Sequence, residues 1–194
     1  MPAAPAILDI EASGFGAGSY PIEIGYVLGD GRARCTLVRP ASHWTHWDAE
    51  AERVHGIVRP TLLQYGRAIA DVADLLNTDL AGQTVYCDGW AHDYPWLALL
   101  FDEAGRALRF RLESVATLLD EPRLARLDAV RQAAVAELGL ARHRASNDAR
   151  ALQLAISRVR ACEDMSRDRV DPREPLDQGA KRRRVRRPVE HLQG

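Results

Sequence analysis

The sequence predicts an α/β domain over residues 1–164, with a mixed sheet flanked by helices. Three short strand-type stretches come early, between residues 6 and 38, and strand and helix patterns then alternate as far as residue 162. With 194 residues, 46% of them hydrophobic, the chain can bury one sizeable core.

Each element follows from its local pattern. Ala6 to Glu11 is short and mostly apolar, and Ile22–Leu28 and Ala33–Val38 have similar strand character. Helical patterns cover Asp48–Val54 and Arg67–Leu76. Thr84–Cys87 is a compact apolar strand, followed by a helix over Asp93–Ala104 in which Pro95 is tolerated in the first turn. Arg109–Leu112 is a further short strand candidate, and Arg123–Leu138 is helical. In the last helix, Asn147–Cys162, residues Ala149, Leu152, Ala155, Ile156 and Val159 recur at helical spacing, with Ser146 as N-cap.

Composition narrows the class. Cys35, Cys87 and Cys162 are far apart and show neither zinc-ligand nor disulfide-framework spacing, so they read as reduced packing residues of a cytoplasmic protein. The first residues lack the basic and apolar regions of a signal peptide, and no stretch approaches a membrane span. From Met165 onward apolar periodicity stops, and Lys181–Arg187 holds six cations in seven residues. The last thirty residues hold nine of the 26 basic and five of the 27 acidic residues, so a body at −5 is masked by a basic tail. Residues 165–194 are expected to be disordered, with too little apolar surface to offset the entropy of ordering. Such a tail could hold nucleic-acid phosphates non-specifically, or could simply be a solubilising end.

Five polar residues carry the chemistry. In a strand, Asp9 and Glu11 project side by side, and adjacent carboxylates repel unless a cation sits between them. Mg²⁺ is usually held by one or two carboxylates together with substrate phosphate oxygens, so the pair suits phosphoryl transfer. Asp148 falls in the first turn of the last helix, where the dipole favours a carboxylate, and His143 lies on the loop leading in. Asp93 follows the strand Thr84–Cys87, and Asp88, closer to the strand end, is its rival.

These residues, in this order, resemble the motifs of the DEDDh (DnaQ-like) 3′ to 5′ exonuclease family of the RNase H-like group. The likeness spans roughly Ala6 to Arg160. Asp9-Ile10-Glu11 resembles the first motif, and Ala12-Ser13-Gly14-Phe15 the small, hydroxyl and glycine residues after it. Pro21-Ile22-Glu23-Ile24-Gly25 is similar to the family's second strand, Val54-His55-Gly56-Ile57 to its His-Gly-Ile segment, and His143-x-Ala145-x-x-Asp148 to its third motif. The second motif departs: Asp88-Gly89-Trp90-Ala91-His92-Asp93 stands where the family usually has His-Asn-Ala-x-Phe-Asp. Asp93 is favoured as the matching acid.

The resemblance implies an RNase H-like fold with a mixed five-stranded sheet, and a metal-dependent exonuclease using two divalent cations, Mg²⁺ or Mn²⁺. It implies that Asp9 bridges the ions, that Glu11 and Asp148 support the one activating water, and that Asp93 supports the one near the leaving 3′ oxygen. His143 would be the general base; an imidazole of ordinary pKa, about 6.5, suits that role near neutrality. Ala12, Ser13, Phe15 and His55 would contact substrate, Phe15 by stacking on the terminal base. DNA or RNA 3′ ends are the implied partners, and nucleoside 5′-monophosphates the products; no membrane is implied, and a homodimer stays open. Two rival classes remain, a non-catalytic nucleic-acid-binding module on the same fold and a hydrolase using the carboxylates with another metal.

Overall fold

Alternation along β1 (Ala6–Ala12) defines the two faces of the sheet. Leu8, Ile10 and Ala12 join the larger apolar cluster and Ile7 the smaller one, so Asp9 and Glu11 share the face of Ile7 by the two-residue period of a strand. Around β1 lie β2 (Pro21–Val27), β3 (Ala33–Leu37), β4 (Thr84–Cys87) and β5 (Arg111–Ser114), in the order β3-β2-β1-β4-β5. The β1–β2 and β2–β3 pairs are antiparallel, whereas β1–β4 and β4–β5 are parallel. The expected mixed five-stranded sheet is present. This computed structural model describes residues 4–167, and from 162 onward the backbone alone. The basic segment Lys181–Arg187 and the Cys162 side chain lie outside the described residues.

Helices cover both faces. α1 (Ala49–His55), α2 (Arg59–Tyr65) and α3 (Ile69–Leu80) precede β4, α4 (Trp90–Ala104) follows it, and α5 (Glu121–Leu138) and α6 (Ala145–Arg167) close the domain. Val72 and Leu76 of α3 and Leu97 and Leu100 of α4 pack in the larger cluster. Leu127 of α5 and Leu152, Ile156 and Val159 of α6 pack in the smaller one. Full burial of each such side chain contributes about 1.5–3 kcal/mol, and these two layers fix the sheet ends where the acidic residues project.

Several boundaries differ from the sequence pattern for identifiable reasons. α6 begins at Ala145, so Ser146 is inside the helix rather than its N-cap; the Arg144 carbonyl accepts from the Asn147 and Asp148 N–H groups, and the Glu23 carboxylate accepts from Ala145 N–H. α4 begins at Trp90, ahead of the expected start at Asp93, so Asp93 lies within its first turn. β5 starts two residues late because the Arg109 N–H donates to Asn77 Oδ1 before the ladder begins. The sequence pattern does not mark α2; Pro60 in its first turn is compatible with a helix start.

Gly25 on β2 lies opposite Asp9 and is where α6 meets the sheet. A Cβ there would stand 2.0 Å from the Ser146 nitrogen and 2.2 Å from the Ala145 carbonyl carbon, both rigid backbone. Gly25→Ala should therefore lift the start of α6 and destabilise the domain by about 1–3 kcal/mol or more, the range for overpacking. Urea denaturation is the measurement, and an unchanged midpoint would show that α6 does not sit on Gly25.

Candidate active site

Asp9, Glu11, Asp93 and Asp148 converge from β1, α4 and α6. Burial raises the Asp9 carboxyl well above the usual carboxylate range, and the charges of Asp93, Glu11, Asp88 and Asp148 push it the same way. Glu11 is raised to about 7, first by desolvation and then by Asp148 and Glu23, with Arg144 opposing. Asp93 is also raised to about 7, chiefly by desolvation, with the Cys87 thiol lowering it and Asp88 and Glu11 raising it. Its Oδ2 is buried without a hydrogen-bond partner among the described residues. A buried, unpaired anion is costly, so these carboxylates either hold protons or take up a cation. All four acids offer oxygen donors, which suit a hard divalent ion such as Mg²⁺ or Mn²⁺.

The histidine joins this cluster. Glu11, His143 and Asp148 each bring one ligand-type atom within 4.8 Å of the others. His143 has a left-handed backbone, φ 58°, a conformation that costs a non-glycine residue about 1–3 kcal/mol and persists only when its surroundings enforce it. The adjacent residue supplies that restraint. Arg144 donates through Nε and Nη2 to the fully buried Glu23 carboxylate, at 2.6 Å for Nη2 to Oε1, and Glu23 Oε2 accepts from the Ala145 N–H at 2.9 Å. Glu23 faces Glu11 across the β1–β2 ladder, so this clamp places the start of α6 beside Glu11.

Of the two rival acids after β4, Asp93 is buried against Asp9. Asp88 is instead paired with Arg131 of α5. Gly89 makes room for Asp93, since a Cβ there would lie 3.1 Å from its Oδ2.

A cleft of about 440 Å³ opens beside Glu11 and Asp93. Ala12, Phe15, His55 and His143 line it. Ser13 does not: its hydroxyl is buried, accepts from the Tyr20 N–H and bonds His46 Nδ1. His55 is buried, and desolvation holds its imidazole below the usual histidine range. Its Nδ1 accepts from the Ile57 N–H, so the neutral ring carries its proton on Nε2, and the ring also interacts with the Ala12 backbone.

His92 and Trp96 also line the cleft, and the motif resemblance marks neither. They stack at 5.8 Å, and exposed Phe15 lies 5.0 Å from His92 and 5.9 Å from Trp96. Their i, i+4 spacing on α4 was the signal available. Gly14 lets the Phe15 loop pass α1, because its backbone has φ 139° and a Cβ would meet Asp48 Cβ at 2.6 Å.

No protein-family model and no curated protein sequence matches this chain. Solved structures do. Exonuclease I from Methylocaldum szegediense superposes with a TM-score of 0.61 at 16% identity, over 79% of this chain and 39% of that one. E. coli exonuclease I in complex with a dT13 oligonucleotide gives 0.60 at 11% identity, over 83% and 41%. The zinc-bound form of the E. coli enzyme with single-stranded DNA gives 0.59 at 12%, over 82% and 42%. The chain thus spans about two fifths of the length of these relatives. Its structural neighbours are exonuclease I proteins, and its fold, a mixed five-stranded sheet flanked by helices, is the one found in those structures.

Proposed function

We propose that this chain is a metal-dependent 3′ to 5′ exonuclease of the DEDDh type, which hydrolyses the terminal phosphodiester of DNA or RNA and releases nucleoside 5′-monophosphates. The observation that carries this reading is the convergence of four carboxylates, three of them desolvated, and one histidine at the edge of a nucleotide-sized cleft. Asp9, Glu11, Asp93 and Asp148 would hold two divalent cations. Such ions, when bound, supply the positive charge that stabilises the attacking and departing oxygens of an in-line displacement. His143, whose ring lies beside Glu11 and Asp148, takes the proton of the attacking water at an imidazole nitrogen. His55 donates from Nε2 to an acceptor on the terminal nucleotide, and Phe15, His92 and Trp96 hold its base.

Purified protein with Mg²⁺ or Mn²⁺, given 3′-labelled and 5′-labelled DNA and RNA of several lengths, tests the reading directly. Label should leave 3′-labelled substrate first, as mononucleotide, and EDTA or Asp9→Ala should abolish this. Persistent digestion in EDTA would overturn the metal dependence. Asp93→Ala should cripple turnover, whereas Asp88→Ala, which removes a pair with Arg131, should cost much less. The reverse ranking would move the metal site to Asp88.

The raised carboxyls make the metal-free protein pH-sensitive. Glu11 and Asp93 titrate near 7 when folded and near their ordinary values of 4.5 and 3.8 when unfolded, so between these limits the folded state binds more protons. Stability from this source is full at low pH and falls as pH rises toward 7. Cations bind the deprotonated form, so Mg²⁺ or Mn²⁺ should raise the melting temperature more at pH 8 than at pH 5.5; saturation to a hundred times Kd is worth about 2.7 kcal/mol. Asp93→Asn should flatten the metal-free slope. Equal slopes in variant and wild type would show that Asp93 does not ionise across this range.

His143 admits a second role, as a ligand, because its ring lies within the trio with Glu11 and Asp148. His143→Ala separates the two. Loss of a general base typically lowers the rate by about 10²–10⁴ and should flatten the rise of rate with pH while metal affinity, read by calorimetry, is retained. A large fall in metal affinity would mark His143 as a ligand.

A further inference from the structure

Within the exonuclease reading, we propose that Trp90 and Tyr94 form a second stacking platform, outside the cleft, for a base of a single strand lying 5′ of the terminal nucleotide. Both residues project from the first turns of α4, four positions apart, and their rings stack at 5.2 Å with planes 21° apart. Each stays substantially exposed, at 42% and 41%. The indole is anchored: Trp90 Nε1 donates to the Leu112 carbonyl at 3.0 Å, so little side-chain entropy remains to be lost when a base lands on the pair.

Their position on α4 defines what they would hold. Successive helical residues turn by about 100°, so 90 and 94 lie to one side of Asp93 while 92 and 96 lie to the other. Asp93 faces inward between them and is buried. His92 and Trp96 line the cleft with Phe15, whereas Trp90 and Tyr94 do not. One aromatic surface thus stands on the cleft side of the acidic cluster and another on the far side. A terminal nucleotide in the cleft, with its phosphate at the acids, directs the rest of its strand across α4 toward the second surface. Aromatic stacking needs an open base face and tolerates any base, which selects unpaired strands with little sequence preference.

The test is equilibrium binding to the full chain in Ca²⁺, followed by tryptophan fluorescence and by anisotropy of labelled oligonucleotides. The probes are thymidine 5′-monophosphate, dT2, dT3, dT12 and a blunt 12-base-pair duplex. Wild type should bind dT3 and dT12 more tightly than the mononucleotide. Trp90→Ala should weaken the longer strands about 5- to 150-fold while leaving mononucleotide affinity unchanged. Trp90→Phe should restore most of the loss. Tyr94→Ala, which leaves the Trp90–Leu112 bond intact, should also weaken long strands at an unchanged urea midpoint. Equal loss for mononucleotide and dT12, or no loss for either, would overturn the platform, as would duplex binding as tight as dT12. Hydrolysis that proceeds without any Trp90 effect would remove this inference alone. Trp90-dependent binding without hydrolysis would instead remove the exonuclease reading and keep the platform.

Discussion

Glu23 is a fully buried carboxylate placed opposite another acid, Glu11, on the neighbouring strand, and it is tolerated there only because α6 brings a guanidinium and an amide to it. Breaking such a pair leaves an uncompensated charge, which typically costs about 3–5 kcal/mol. The bond joins residues 23 and 144, distant in the chain, and thereby sets the register of α6 against β1. His143 and Asp148 inherit their positions from it. The missing side chain at Gly25 allows the approach, and the Glu23–Arg144 pair fixes its depth.

The acidic cluster itself works against folding. Desolvation and like-charge repulsion raise the Asp9, Glu11 and Asp93 carboxyls together, so the metal-free site stores unfavourable energy that the rest of the domain must offset. Apolar layers on both faces of the sheet do this, from Leu8 and Leu97 on one side to Ile7 and Ile156 on the other. β1 belongs to both layers. Its odd residues therefore carry charge at one end without loosening the strand, and the strain is held where a cation would relieve it.

Aromatic residues divide between structure and surface along similar lines. Tyr20 stacks on Trp44 in the interior at 5.2 Å, and Trp47 donates to Glu52, so these rings serve packing. Phe15 is left exposed over His92 and Trp96, and Trp90 with Tyr94 stays open beyond them. α4 thus presents aromatic surface on either side of a buried acid.

Local periodicity was enough to determine the strand–helix alternation, the shared face of Asp9 and Glu11, and the nearness of His143 and Asp148 to the start of one helix, because each depends on residues only a few positions apart. The long-range placements depend on contacts that periodicity does not encode. Asp88 and Asp93 follow the same strand, and only an arginine 43 residues on from Asp88 separates them, drawing it away while Asp93 stays buried. Tyr20 and His46 claim the Ser13 hydroxyl, and Ser146 reads as a cap until Glu23 and Arg144 start the helix ahead of it. Glu23 reads as one more polar residue in a strand. The sequence by itself determined which chemical groups are present and which face of its own element each occupies; tertiary structure decided which of them meet, because desolvation and pairing depend on what packs against a group from elsewhere in the chain.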